Sequence, residues 1–395
     1  MKMFKLRTPH ISKEGRVLSW ASMIHGLGIG MLLPIFPTYV ATIIENDSLI
    51  GFFYSAMALA MVLAGILSVY LYRRYTRLAV ANVFLFVSAV ASMYLVFTTD
   101  IYSVFVLGFI KVFASLFVVM SLGLMVHDFT KSKDIGKTEG VYFLFNNVGW
   151  FIGPLLGGII GRYFGYEPVF ALAGLFSLAT IAFLSHKKLV EEHPALNVPK
   201  YNKHKVHPFS RFKGFFSNRE RTGSYFVAIA FMMWTSFKPL IIPLFVVKMG
   251  FASDMSGLLM ALSIIPFLLF EIPVGEYADK YNVRKPIIAG FLILGFMLLG
   301  VFASPWFVLD ALFLILANVG AAFIEPLHDI YFFKNVSKKE ENDYFGIFST
   351  ADPIAQLIGP AILSLSFLFL PFEYVFLFFG VFFLIVGGLT TKIQD

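Results

Sequence analysis

Twelve apolar runs divide this 395-residue chain, each long enough to cross the roughly 30 Å of hydrocarbon in a bilayer. They lie at about 17–43, 49–71, 78–98, 102–126, 138–161, 166–185, 223–247, 254–276, 285–303, 306–328, 343–368 and 372–390. Hydrocarbon offers a free backbone amide no partner, so runs of this length are committed to helix. A β-barrel would read as short alternating segments, whereas these runs are continuous. Only 14% of the residues are charged, against about a quarter in a soluble chain. The expected fold class is an all-α membrane protein with twelve transmembrane helices.

Lysine and arginine set the expected orientation. With both termini cytoplasmic, 27 of the 31 basic residues fall on inner segments. Arg162 and Lys248 fall outside, and Lys111 and Lys238 lie within spans. That asymmetry follows the positive-inside rule and points to the plasma (inner) membrane. The net charge of +7 is then a topology signal, and nucleic acid is not an expected partner. The apolar run after the basic N-terminus is too long for a signal-peptide core and is expected to stay as the first helix.

No cysteine is present, which excludes disulfides, thiolate metal sites and cysteine nucleophiles. Gly136, Lys137 and Thr138 look like the end of a P-loop, but the first glycine of that motif would fall on Lys131. No nucleophile, base and orienter stand together. Neither enzymatic activity nor a metal or cofactor is expected.

The chain matches itself at an offset of 206 residues. Pro37 falls on Pro243, Gly51 on Gly257, Arg74 and Tyr75 on Lys280 and Tyr281, Gly140 on Gly346, and Gly153 and Pro154 on Gly359 and Pro360. Two six-helix bundles are expected, 1–185 and 223–395, joined by a basic cytoplasmic linker at 186–222. Within the first, GVYFLFNNVGWFIGPLLGGIIG carries Gly149, Gly153, Gly157 and Gly161 at four-residue spacing. Such spacing forms one slowly drifting bare stripe on a helix, along which another backbone can come close.

Two parallel six-helix repeats are how transporters of the major facilitator type are built, and two motifs add to that resemblance. GEYADKYNVRK, from Gly275 to Lys285, resembles the superfamily's loop signature, with Asp279, Lys280, Arg284 and Lys285 at its charged positions. Between the second and third helices only a degenerate copy stands, SVYLYRRYTRL, with Arg73 and Arg74 and with Tyr72 at the Asp position. The pattern Gly140, Gly149, Gly153, Pro154, Gly157, Gly158 is similar to the fifth-helix signature of the proton-coupled antiporter branch, drug and multidrug exporters in particular. The fourth-helix arginine of many such exporters corresponds at best to Lys111, and His25 stands where several relatives carry a carboxylate. The resemblance implies that the helix bearing Glu271 faces the glycine groove; a neighbour within the same half is the alternative.

An ionisable side chain at the bilayer centre costs about 2.5–3.5 kcal/mol on insertion scales, so each is a functional candidate. Glu325 leads, because Asn318, Ala322, Glu325 and Asp329 form one polar stripe on the tenth helix, and a carboxyl in a half-dry cavity can take up and release a proton. The alternative is that it only neutralises Lys238. Glu271 and Asp352 are further proton-coupling candidates, with structural roles as alternatives. Asp352 takes the repeat position of Asn146.

His25, Lys111, Lys238, Trp234, Asn146 and Asn318 are the expected substrate-cavity residues, and the run Phe231, Met232, Met233, Trp234 suggests an aromatic, deformable wall. Lys111 and Lys238 can hold an anionic substrate, alternate as partners of Glu271 and Glu325 in a switching ion pair, or stand in a static one. Asp128 and Asp329, each following a histidine, are expected partners for the loop motif in a cytoplasmic latch. The alternative there is a solvated charge cluster that only sets topology.

The expected function is proton-coupled export of an amphipathic or apolar organic compound by a monomeric secondary antiporter. Exchange or symport of a small organic anion, and a non-transporting receptor of the same fold, are the alternatives.

Overall fold

The computed structural model describes residues 11–44, 46–130, 135–186, 208–336 and 340–391. These residues form helices and no strand. Eleven helical spans are long and apolar enough to cross a membrane, and the 17-residue helix at Tyr374–Thr390 is apolar but shorter. Along them Ile66, Phe86, Val106, Leu269, Phe296 and Ile385 are exposed, side chains that water would drive inward and lipid accommodates. The protein is an integral membrane protein of all-helical architecture.

In chain order the first helices are α1 (Lys13–Leu32), α2 (Phe36–Ile43), α3 (Asp47–Arg74), α4 (Arg77–Leu95), α5 (Ile101–Phe129), α6 (Ile135–Phe164) and α7 (Glu167–His186). They continue as α8 (Pro208–Phe216), α9 (Arg219–Lys248), α10 (Ser253–Leu262), α11 (Ile265–Lys280), α12 (Arg284–Ala303) and α13 (Phe307–Lys334). The last three are α14 (Glu341–Phe348), α15 (Ala351–Phe369) and α16 (Tyr374–Thr390).

Proline explains why some spans are two helices. Pro34 lacks the amide that would continue α1, and the chain turns there through the Leu33 N–H to Gly30 and Ile35 N–H to Leu32 bonds, 3.1 and 3.2 Å. Breaks also precede Pro266, between α10 and α11, and Pro353, between α14 and α15. Helix α9, by contrast, runs on through Pro239 and Pro243. Asn218, Thr76 and Asp100 cap α9, α4 and α5 by accepting N–H bonds from the first turn.

The chain gathers into two compact units, Met1–Ile35 with Ala60–Asn202, and Phe36–Leu59 with Lys203–Asp395. In the first, α1 and α6 pack backbone to backbone. A Cβ added at Gly153 would stand 2.8 Å from Gly30 Cα and from the Leu27 carbonyl, and one at Gly149 2.6 Å from the Met23 carbonyl. At Gly157 it would collide with Met31. Gly26 and Gly30 of α1 answer from the other side, Gly30 lying against Gly153 and Pro154. The groove is therefore filled by the first helix of the same unit, and the expectation that the Glu271 helix fills it is corrected. The glycine spacing specifies a close approach but carries no information about which backbone makes it.

In the second unit the same pairing recurs. Gly359, the repeat position of Gly153, approaches Ser236 of α9, the repeat counterpart of α1, and α9 and α15 pack along one another. Gly290 and Gly320 bring α12 against α13, and Gly295 and Gly380 bring α12 against α16. Trp234, Phe237, Phe379 and Phe383 fill the interior, with the Phe237 and Phe379 ring centres 4.4 Å apart. The start of α3 joins this unit: Gly51 lies against Pro360 and Ser364, and Asp47 pairs with Lys248 at 2.7 Å.

Helix α8 lies inside the stretch expected as a polar linker. It buries Phe215 against Tyr225, Phe332 and Tyr344 while leaving Phe212, Lys213 and Phe216 exposed.

Gly153→Leu should therefore lower thermal stability and expression, because overpacking costs about 1–3 kcal/mol and here the obstacle is backbone that cannot swing aside. Gly140→Ala, with nothing within 4 Å of the added methyl, should be neutral or stabilising by up to ~1 kcal/mol. A melting curve of the two purified variants checks both; equal melting points would refute the tight-groove account.

Candidate functional site

Trp234 and Lys238 stand one turn apart on α9, so both reach the same neighbour. That neighbour is Asn318 of α13, whose Oδ1 accepts from Trp234 Nε1 at 3.4 Å and from Lys238 Nζ at 3.2 Å. Its Nδ2 donates to the Leu314 carbonyl at 2.8 Å, which fixes the orientation of the amide. The Lys238 ammonium also lies 5.2 Å over the Phe267 ring of α11. Asn318 and Trp234 are fully buried, as are Phe231 and Met233, so the run from Phe231 to Trp234 packs the interior of its unit. Of the four, Met232 alone is partly exposed.

The polar stripe of α13 runs outward from Asn318. Glu325 is half-buried and Asp329 is exposed. Glu325 lies within electrostatic reach of Lys238, Glu271 and Asp329, yet no ion pair within 4 Å joins Lys238 to a carboxylate among the described residues. Around Glu325, three carboxyls and one ammonium thus stand within electrostatic reach without a fixed pairing to that ammonium. Asp352 stands apart, at the start of α15, where its Oδ1 accepts from Gln356 at 3.0 Å.

A second polar cluster belongs to the other unit. Lys111 of α5 is 9% exposed and donates to Ser92 at 2.8 Å and Ser88 at 3.3 Å, hydroxyls on consecutive turns of α4. His25 of α1 is 4% exposed, feels the Lys111 charge, and its Nε2 has no hydrogen-bond partner among the described residues. The next residue, Gly26, lies against Asn146 and Trp150 of α6. Sequence reasoning passed over Ser88 and Ser92. Their four-residue spacing on an apolar helix is the signal that would have found them.

At the helix ends the expected partners are redistributed. Asp128 pairs with Arg77, whose Nη1 also donates to the Leu124 carbonyl at 3.0 Å. His127 pairs with Glu139 at 2.8 Å. His328 Nδ1 donates to the Glu325 carbonyl at 2.5 Å, and its Nε2 lies 3.4 Å from Asp329. Asp128 thus has its partner in Arg77, the last basic residue of the degenerate motif copy SVYLYRRYTRL on its own unit.

Tyr72, at the degenerate Asp position, bonds to Ser121 at 2.8 Å and donates to the Phe117 carbonyl of α5. Arg74 lies 5.7 Å over the Tyr75 ring, and Lys280 is exposed. Just ahead of α12, Asn282 Oδ1 accepts from the Lys285 N–H at 2.8 Å. Gly275 has open space around it. The side chains of Arg73 and Asp279 lie outside the described residues.

The family model of the Major Facilitator Superfamily matches residues 18–252 and 223–392. An uncharacterized MFS-type transporter of Methanocaldococcus jannaschii is 24% identical over 367 residues, 91% of this chain and 93% of that one. Multidrug resistance protein 2 of Bacillus subtilis is 24% identical over 382 residues, 92% of this chain and 91% of that one. Among solved structures, a mutant of the nucleoside transporter NupG superposes with a TM-score of 0.79 at 14% identity, over 97% of this chain and 100% of that one. A mutant peptide transporter POT in complex with alafosfalin reaches 0.79 at 12% identity, over 96% of this chain and 94% of that one. Family match and fold agree across nearly every span, and the chain belongs to the Major Facilitator Superfamily of membrane transporters.

Proposed function

We propose that the protein is a proton-coupled antiporter of the cytoplasmic membrane that exports an amphipathic or largely apolar organic compound, with Glu325 as the coupling carboxyl. The observation that carries this is the α13 stripe, which grades from buried Asn318 through half-buried Glu325 to exposed Asp329 with Lys238 and Glu271 alongside. An ionised carboxylate within a membrane needs either a cation or a proton. Glu325 has the Lys238 ammonium within electrostatic reach and no fixed bond to it, so a change of conformation can exchange that cation for a proton. In this reading the protein works by alternating access as a monomer with both termini cytoplasmic, and its sequence halves 1–185 and 223–395 each keep the Gly-Pro helix packed on their own first helix.

Similarity to a multidrug resistance protein supports export of an organic compound. A second reading, exchange or symport of a small organic anion, is favoured by Lys111, which has no carboxylate partner among the described residues.

Two variants test the proposal in proteoliposomes with an imposed proton gradient. Glu325→Gln keeps size and hydrogen bonding but has no proton to release. It should bind substrate and exchange substrate for substrate while proton-driven flux falls to the level of empty vesicles; unchanged uphill transport would move the coupling role to Glu271 or Asp352. Asn318→Leu removes the acceptor shared by Trp234 and Lys238. It should destabilise by about 1–3 kcal/mol, the usual cost of a buried donor left without a partner, and calorimetry reads that loss directly.

A further inference from the structure

Lys111 sits eleven residues into the 29-residue α5, about 15 Å from that end and thus near mid-membrane. Its surroundings are one-sided. Two serine hydroxyls take two of its three protons, and no carboxylate pairs with it among the described residues. Hydroxyls are polar contacts without charge, so they orient the ammonium and do not neutralise it. The nearby His25 supplies a second unmatched polar atom, its buried Nε2. Lys238 of the other unit differs, since Glu325 lies within its electrostatic reach. One unit therefore carries an ammonium with an acid in reach, and the other carries an ammonium whose counter-charge the described residues do not provide.

We propose that Lys111, with Ser88, Ser92 and His25 around it, forms a subsite that takes a single carboxylate, or a comparable monoanionic group, on the transported compound. The proposal rests on the transporter reading and narrows its substrate class to amphipathic organic acids. A monoanion supplies the missing charge and an acceptor for the third ammonium proton. Its second oxygen accepts from His25 Nε2 when that nitrogen carries the proton. A cationic compound would be repelled at this position, and a neutral one would leave the ammonium unmatched at a depth where such groups are otherwise paired. The bland alternative is a staple, in which Lys111 only ties α5 to α4 through the two serines.

The test is a thermal-shift titration of the full-length purified protein with a panel of aliphatic and aromatic carboxylates. Each is run beside its methyl ester and the primary amine of equal length, and sodium chloride alone is a separate arm. Wild type should be stabilised by at least one carboxylate and not by its ester or amine. Lys111→Met should weaken that binding by roughly tenfold to a hundredfold, the loss expected for one hydrogen bond to a charged group. Lys111→Arg keeps the charge while disturbing the fit to Ser88 and Ser92, so it should retain the preference for carboxylate even if it melts lower. That variant separates a subsite from a staple.

Three results would overturn the subsite. In the first, no carboxylate is preferred over its ester. In the second, Lys111→Met keeps the preference. In the third, chloride alone gives the whole Lys111-dependent shift, which makes the site one for an inorganic anion. Failure of the transporter reading looks different: carboxylates bind in a Lys111-dependent way, yet wild-type proteoliposomes show no flux.

Discussion

Hydrocarbon has no hydrogen-bond donor or acceptor to lend, and this one property shapes the protein at every level. Backbone amides must be satisfied within the segment that carries them, which dictates helices. Helices in lipid gain little from hiding apolar surface, so they associate where backbones can approach and dispersion contacts accumulate. That is the arrangement at Gly26 and Gly30 of α1 against Gly149, Gly153 and Gly157 of α6. Where proline removes an amide from the ladder, the span either splits, as at Pro34, or bends on, as α9 does through Pro239 and Pro243.

The same scarcity governs the side chains. Serine and threonine hydroxyls in the spans return bonds to carbonyls one turn back, as Ser19 does to Gly15 and Ser263 to Leu259. These bonds are local, and they satisfy the hydroxyl without linking helices. Groups that cannot be satisfied within their own helix are the ones that cross between helices: Trp234 and Lys238 to Asn318, Lys111 to Ser88 and Ser92, Arg77 to Asp128. Each crossing contact costs a desolvated polar group, so a fold that only needed to span would have little reason to keep them.

What the sequence makes legible follows from which forces act locally. The spans are legible because hydropathy alone decides them, and the repeat because glycine and proline mark positions where backbone geometry is special. Helix α8 was not legible. Among its described side chains Phe215 alone is buried, and nine residues in a basic segment average out as polar. The occupant of the glycine groove was not legible either, since a bare stripe is defined by what it lacks. The membrane charges could be named, but not their partners. Asp128 finds Arg77 and His127 finds Glu139, pairings set by how helix ends meet. Nor do spacings show which rings meet: Trp234 packs on Phe237 and Phe383.

The repeat also makes the chemical difference between the halves informative. Duplication gives both halves the same scaffold: a Gly-Pro helix, α6 or α15, laid on the first helix of its half, α1 or α9. Where a scaffold is shared, departures from symmetry are not required by the packing. Asn146 in one half stands where Asp352 stands in the other. The carboxyls Glu271 and Glu325 lie in the second half, and their positions 206 residues earlier are Gly65 and Val119. Acid chemistry has been concentrated on α11, α13 and α15, while the first half keeps a buried ammonium among hydroxyls and a histidine.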